Sequence, residues 1–162
     1  MVDFDILLKQ CLKGHKAPKA LLCFDPGETT GWALFLNGKL VEKGQIVTKD
    51  LVVAYTELTK LFQTKLPTHV TIEEYRVYAW KAANHTWSQV HTARIIGMLF
   101  YLHFTFVGPG SKPHLELAQG PKNFVTDSKL KKWNMYYSGK HSRDAIRHGL
   151  YYLLFIYPKL FC

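Results

Sequence analysis

The sequence is short of acid. Twelve Asp and Glu stand against 21 Lys and Arg, leaving a formal charge of +9. Cysteine is scarce too. Cys11, Cys23 and Cys162 have neither a metal-binding spacing nor a pairing pattern, which excludes a disulfide-stapled scaffold or a zinc ribbon and suits a reducing, cytoplasmic setting. No apolar run reaches the length of a membrane span, and the first residues lack the layout of a signal peptide. Internal repeats, low-complexity tracts and clear linkers are also missing. What remains is a globular mixture, 48% hydrophobic and 20% charged, in 162 residues, enough for one domain with a proper core. The basic excess favours an anionic partner, of which nucleic acid is the usual one.

Periodicity supplies the elements. Phe4, Ile6, Leu7, Leu8 and Leu12 predict a short amphipathic helix ended by Gly14, so residues 1–19 read as an appendage packed on a main domain of residues 20–162. Strands are expected over Ala20–Asp25, Thr30–Leu36 and Lys39–Val47, the last two joined by Asn37-Gly38, a strong two-residue hairpin signal. A helix over 50–66 closes at Pro67, and a fourth strand, His69–Glu74, follows. A helix over Gln89–Tyr101 is apolar on one side through Val90, Ala93, Ile95, Ile96, Leu99 and Phe100, with Gly97 open to a close neighbour. A short fifth strand, His114–Ala118, precedes one or two basic helices over Pro121–Trp133 and a last helix, His141–Tyr157, stopped by Pro158. The order β-β-β-α-β-α-β-α predicts an α/β domain whose antiparallel hairpins lead into parallel crossovers.

Three stretches carry acid in suggestive places. Leu21-Leu22-Cys23-Phe24-Asp25-Pro26-Gly27 ends a buried strand in a carboxylate and a tight turn. Ile72-Glu73-Glu74-Tyr75 ends another, and His141-Ser142-Arg143-Asp144-Ala145 opens a helix. Asp-Pro-Gly alone is an ordinary turn. Three acids on three separate elements, however, can converge on a metal.

The order Asp, Glu, His-x-x-Asp on this pattern of elements resembles the RuvC-like Holliday junction resolvases, a branch of the ribonuclease H-like nucleases. The likeness covers roughly residues 20–157 and rests on Asp25-Pro26-Gly27 with Thr30-Gly31-Trp32-Ala33, on Ile72-Glu73-Glu74, and on His141-Ser142-Arg143-Asp144-Ala145. It implies a ribonuclease H-like α/β fold, a mixed five-stranded sheet flanked by helices. It also implies a homodimeric, Mg²⁺-dependent crossover junction endonuclease, with two ions per site and Mn²⁺ as a plausible substitute. Hard oxygen ligands suit Mg²⁺, and two ions about 3.5–4 Å apart activate a water and stabilise the departing oxygen.

By this resemblance Asp25 is the central ligand, Glu73 the second acid and Asp144 the third. Glu74 is the alternative to Glu73, because only one of two adjacent strand residues faces a given side. His141, three residues before Asp144 on one helical face, is a fourth ligand or a proton carrier. Lys122 falls where such resolvases place a phosphate-contacting lysine, and Lys129 near a second such position. Aromatics after the second acid disturb base stacking in the family. Here that stretch carries Arg76, Tyr78 and Trp80, in a pattern that departs from the family's, so the wedge residue and the sequence preference stay open. Arg143, Arg147 and His148 share the last helix with Asp144, where surface salt bridging is the simplest expectation. Thr29 and Thr30 satisfy the turn. The helix at 89–101 offers a subunit contact.

Other readings compete. The same nuclease site can act on flapped or three-way branched DNA, or on an RNA–DNA hybrid. A non-catalytic DNA-binding domain of this fold would have lost its acids, and the chain is too short for an actin-like or sugar-kinase ATPase. The expected partner is branched DNA, with no membrane, in the cytoplasm (a host's cytoplasm for a phage-encoded enzyme).

Overall fold

The computed structural model describes residues 2–75 and 87–161, the side chains of 87–89 excepted. Its centre is β1, Ala20–Asp25, buried along its whole length. Antiparallel partners β2 (Thr29–Leu36) and β3 (Lys39–Val47) lie on one side, and parallel partners β4 (His69–Glu74) and β5 (His114–Leu117) on the other, giving the order β3-β2-β1-β4-β5. This is the expected mixed five-stranded sheet. The β2–β3 turn takes Asn37 to φ 50° and Gly38 to φ 82°, the left-handed pair that a two-residue hairpin demands.

Alternation along β1 divides the core in two. Leu22 and Phe24 join Val70 and Ile72 of β4 in a cluster under α2 (Leu51–Lys65) and α3 (Trp87–Phe106). Leu21 and Cys23 face the opposite way, toward α6 (Lys140–Tyr151), with Ala33 and Phe35 of β2. That second core also takes Phe4, Leu8 and Leu12 of α1 (Phe4–Leu12), which is capped by Asp3. Two short basic helices, α4 (Gln119–Phe124) and α5 (Asp127–Lys132), fill the span before α6.

Two glycines set how closely α6 approaches the sheet. A Cβ on Gly31 would overlap the carbonyl group of His141, and one on Gly149 would run into the Phe35 ring and the Cys23 sulfur. Helix backbone therefore rests directly on strand backbone beside the end of β1.

Three details differ from expectation. Helix α6 stops at Tyr151 and continues as a π-helical turn, Tyr152–Ile156, and a 3₁₀ turn, Tyr157–Phe161. Pro158 has no N–H to donate and its ring crowds the carbonyl of Leu154, so the α-helical ladder loosens before the proline. Helix α3 is longer than its pattern and apolar on two faces. Ile95, Leu99 and Leu102 are in the core, while Val90, Tyr101 and Phe104 are exposed. Gly97 lies on the outer face, and among the described residues no atom comes within 4 Å of the place a Cβ would take. No helix among the described residues is long and apolar enough to cross a membrane.

Candidate active site

Asp25 ends β1 and is 7% exposed. The turn after it is fixed from below: the Thr48 hydroxyl donates to the Gly27 carbonyl at 2.6 Å and lies 3.0 Å from the Thr30 hydroxyl. Thr48 is itself tied to α3, its carbonyl accepting from Nε2 of buried His91 at 2.5 Å. Thr30 does satisfy the turn through Gly27, and Thr48, which no local pattern singles out, is its partner.

Strand register puts the two glutamates on opposite sides of the sheet. Cys23 pairs with Thr71 and Phe24 with Ile72 across the parallel β1–β4 ladder. Glu73, two residues past Thr71, therefore shares the α6 side with Asp25, while Glu74 follows Ile72 toward α2 and α3. Contacts agree with this placement. His148 on α6 donates from Nε2 to Glu73 Oε2 at 2.8 Å.

Helix α6 delivers the rest. Its start is stitched to β3, with Gln45 Oε1 accepting from the His141 amide at 3.2 Å and the Ser142 hydroxyl donating to the Gly44 carbonyl at 2.6 Å. His141 Nδ1 then donates to Asp25 Oδ2 at 2.8 Å. One turn on, Asp144 is 3% exposed and receives two cations. Lys122 of α4 reaches Oδ2 at 3.2 Å and lies 3.7 Å from Glu73 Oε2, while Arg147 donates to Oδ1 and also bonds Asp127. Asp25, Glu73, Asp144 and His141 are thus brought together at one end of the sheet, with Lys122 among them.

The electrostatics follow from burial and crowding. Burial first, and then the negative charge of Glu73 and Asp144, push the Asp25 carboxyl above its usual range, against the opposing hydrogen bond from His141. That bond raises the His141 imidazole above its usual value, burial working the other way. Burial is the largest single influence on Lys122 and lowers it, but Glu73, Asp144 and Asp25 together hold its ammonium above the ordinary value.

Among the described residues no three acid, histidine or cysteine side chains are spaced to share one metal ion as they stand. Lys122 bridges Glu73 and Asp144 instead. The donor set nevertheless has the right chemistry for a hard divalent cation: buried carboxylate oxygens whose mutual repulsion already raises Asp25. Admitting a cation shared by three carboxylates requires Lys122 to withdraw.

The remaining candidates are more dispersed. Lys129 Nζ donates to the Phe124 carbonyl at 2.6 Å and sits 3.6 Å from the centre of that residue's ring, so its charge is tied to α4. Arg76, Tyr78 and Trp80 lie outside the described residues, as does Cys162. Arg147 and His148 are not the surface groups expected, since their side chains are 12% and 0% exposed. Their spacing from Asp144, three and four residues on, puts them on the same helical face as that acid. An open cleft of about 510 Å³ is lined by His141 together with Gly27, Thr29, Lys49, Tyr75 and Thr92.

No protein-family model matches the chain, and no curated protein matches it in sequence. Solved structures do. The chain is similar to Thermus thermophilus RuvC in complex with a Holliday junction substrate, at 12% identity over 84% of this chain and 93% of that one, with a TM-score of 0.67. It is similar to the yeast mitochondrial Holliday junction resolvase Ydc2, at 12% identity over 96% and 92%, TM-score 0.52. Fowlpox virus resolvase, in complex with its substrate Holliday junction DNA, matches at 15% identity over 83% and 96%, TM-score 0.50. The protein thus has the fold of RuvC, the ribonuclease H-like α/β architecture.

Proposed function

We propose that this protein is a divalent-metal-dependent endonuclease that resolves four-way DNA junctions by paired, symmetric phosphodiester hydrolysis. One observation carries the reading: on the fold of RuvC, Asp25, Glu73, Asp144 and His141 converge from two strands and a helix onto one end of the sheet. Asp25, Glu73 and Asp144 would hold Mg²⁺, with His141 as a fourth ligand or a proton carrier. Held there, Mg²⁺ would supply an activated water and charge neutralisation for the departing oxygen.

The chain's own groups do the rest. His148 and Arg147 hold Glu73 and Asp144 from the core side, so the carboxylates meet substrate already oriented. Lys122 bridges two of the acids, and on release from them it is the natural contact for the phosphate. His141 is biased toward protonation by Asp25 and offers a proton beside the carboxylates. Lys129, Arg76, Tyr78 and Trp80 remain candidate DNA contacts. We take residues 20–162 as the nuclease domain and 1–19 as its appendage, acting on DNA in the cytoplasm. A junction presents two strands for cutting, and the exposed apolar face of α3 supports a homodimer that pairs two such sites.

The test is cleavage of an immobile four-way junction beside a three-way junction, a flap, a linear duplex and an RNA–DNA hybrid, each with Mg²⁺, Mn²⁺ or EDTA. Metal-dependent, symmetric nicks in the four-way junction alone are expected. Equal cutting of three-way junctions and flaps would make the enzyme a general debranching nuclease. Binding without cutting under every condition would leave a non-catalytic DNA-binding domain.

A further inference from the structure

The loop between α5 and α6 carries two adjacent tyrosines, Tyr136 and Tyr137, which are 40% and 37% exposed. Cations surround them. Lys43 of β3 stands 5.4 Å from the centre of the Tyr137 ring, Lys131 of α5 is 5.1 Å from that of Tyr136, and the Arg143 guanidinium is 5.0 Å from the same ring. Arg143 also donates to the Tyr136 hydroxyl at 3.0 Å and to the Tyr137 carbonyl at 3.1 Å, so the loop is pinned to α6. Tyr137 lies close against the start of that helix, where a Cβ on Gly139 would come within 2.8 Å of its ring.

Two further facts give this surface a direction. Gln45, two residues along β3 from Lys43, bonds the amide of His141, whose ring bonds Asp25, so the tyrosines adjoin the acidic site through His141. Lys43 and Lys131 also have no carboxylate within ion-pairing distance among the described residues, whereas Lys49 and Lys65 pair with Glu28 and Glu42. Aromatic faces interleaved with unneutralised ammonium groups are what unstacked bases and their phosphates require. Arg143, reaching from α6 to the loop, holds the array in place before any ligand arrives.

We propose that Tyr136 and Tyr137, with Lys43 and Lys131, form a platform for a DNA strand that has left its duplex at the branch point, running from the acidic site toward β3. This rests on the nuclease reading above and adds to it a second contact surface outside the acids. Bases stack on the tyrosines, phosphates meet the two lysines, and Arg143 positions the loop.

The experiment is fluorescence anisotropy of a labelled four-way junction in Ca²⁺, titrated across a series of salt concentrations. Lys43→Gln/Lys131→Gln removes two exposed charges without touching the core. Lys9→Gln/Lys60→Gln removes two exposed charges elsewhere. The platform variant should lower the slope of log K against log salt by about 1.4 to 1.8, the contribution of two phosphate contacts, and the control should leave it unchanged. Tyr136→Ser/Tyr137→Ser should weaken binding by about tenfold or more. In wild type, 5-iodouracil placed beside the branch point should photocrosslink to the peptide carrying both tyrosines. Platform variants that bind with wild-type affinity and slope would overturn the proposal alone, leaving junction cleavage standing. A wild-type protein that binds no DNA would overturn both.

Discussion

Asp25, Glu73 and Asp144 each lean on a different neighbour, and the neighbour sets what the carboxylate can do. Glu73 is the most informative. One oxygen, Oε2, takes the hydrogen bond from His148 and faces Lys122, so a metal held as proposed would meet Oε1. His148 is fully buried, and its Nδ1 has no partner among the described residues. A buried imidazole with one bare nitrogen is a poor way to fill a core and a good way to hold a carboxylate. Replacing His148 with Leu should lower Mn²⁺ affinity by about 10- to 100-fold in titration calorimetry. Gln, which keeps a donor near the Nε2 position, should restore most of it, with both variants folded by circular dichroism. Equal affinity in Leu and Gln variants would reduce His148 to a packing residue. The convergence of the three acids was legible in the sequence because two stand at or near the ends of apolar strands and one lies early in a helix. His148 and Arg147 were visible as residues, but their inward aim was not. Helical spacing puts them beside Asp144 without saying which side of the helix the sheet covers.

At the scale of elements, α6 works because it lies unusually close to β1 and β2. Gly31 is the cross-strand partner of Asp25, and the space a side chain would fill there is taken by the His141 backbone. Gly31→Ala should therefore cost about 3 kcal/mol in urea unfolding, since the clash is with main chain that cannot turn aside. An unchanged midpoint would mean that α6 sits further out than described. This contact was beyond the sequence, because glycine in a strand marks close approach without naming what approaches.

Helix α3 supplies a pH effect. Its His103 is 1% exposed, donates from Nε2 toward the Ser111 carbonyl at 3.2 Å, and leaves Nδ1 buried without a partner among the described residues. Burial holds its pKa below the usual 6.5. As pH falls, the unfolded chain takes up this proton first, so the stability at stake is fully present above about 6.5 and is lost as pH drops toward the lowered folded value. Unfolding midpoints should fall between pH 7.5 and 5.5, and fall less in His103→Gln. Parallel pH profiles for the two proteins would contradict that assignment.

For the whole molecule, the five strands, the antiparallel start and the parallel finish were readable in advance. Loop chemistry and the 3.6- and 2-residue periods act locally, and right-handed crossovers then leave few topologies. The two-faced character of α3 was not readable, because an apolar stripe does not say whether it meets its own sheet or another chain. Val90, Gly97, Tyr101 and Phe104 line its outer face at helical spacing. Light scattering should show wild type with twice the mass of one chain and Tyr101→Glu/Phe104→Glu with the mass of one. A monomeric wild type at tens of micromolar would leave paired cutting without a structural basis.

The account as a whole turns on the acids at the end of β1 and β4. The most direct measurement is binding and cleavage of the same four-way junction by wild type and Asp25→Asn, side by side in Mg²⁺ and in Ca²⁺. Asn keeps the shape of Asp25 and removes its charge. We predict that the variant binds the junction at least as tightly as wild type and cuts it about 1000-fold more slowly or not at all. Cutting at the wild-type rate would place the chemistry elsewhere and contradict the assignment of this site.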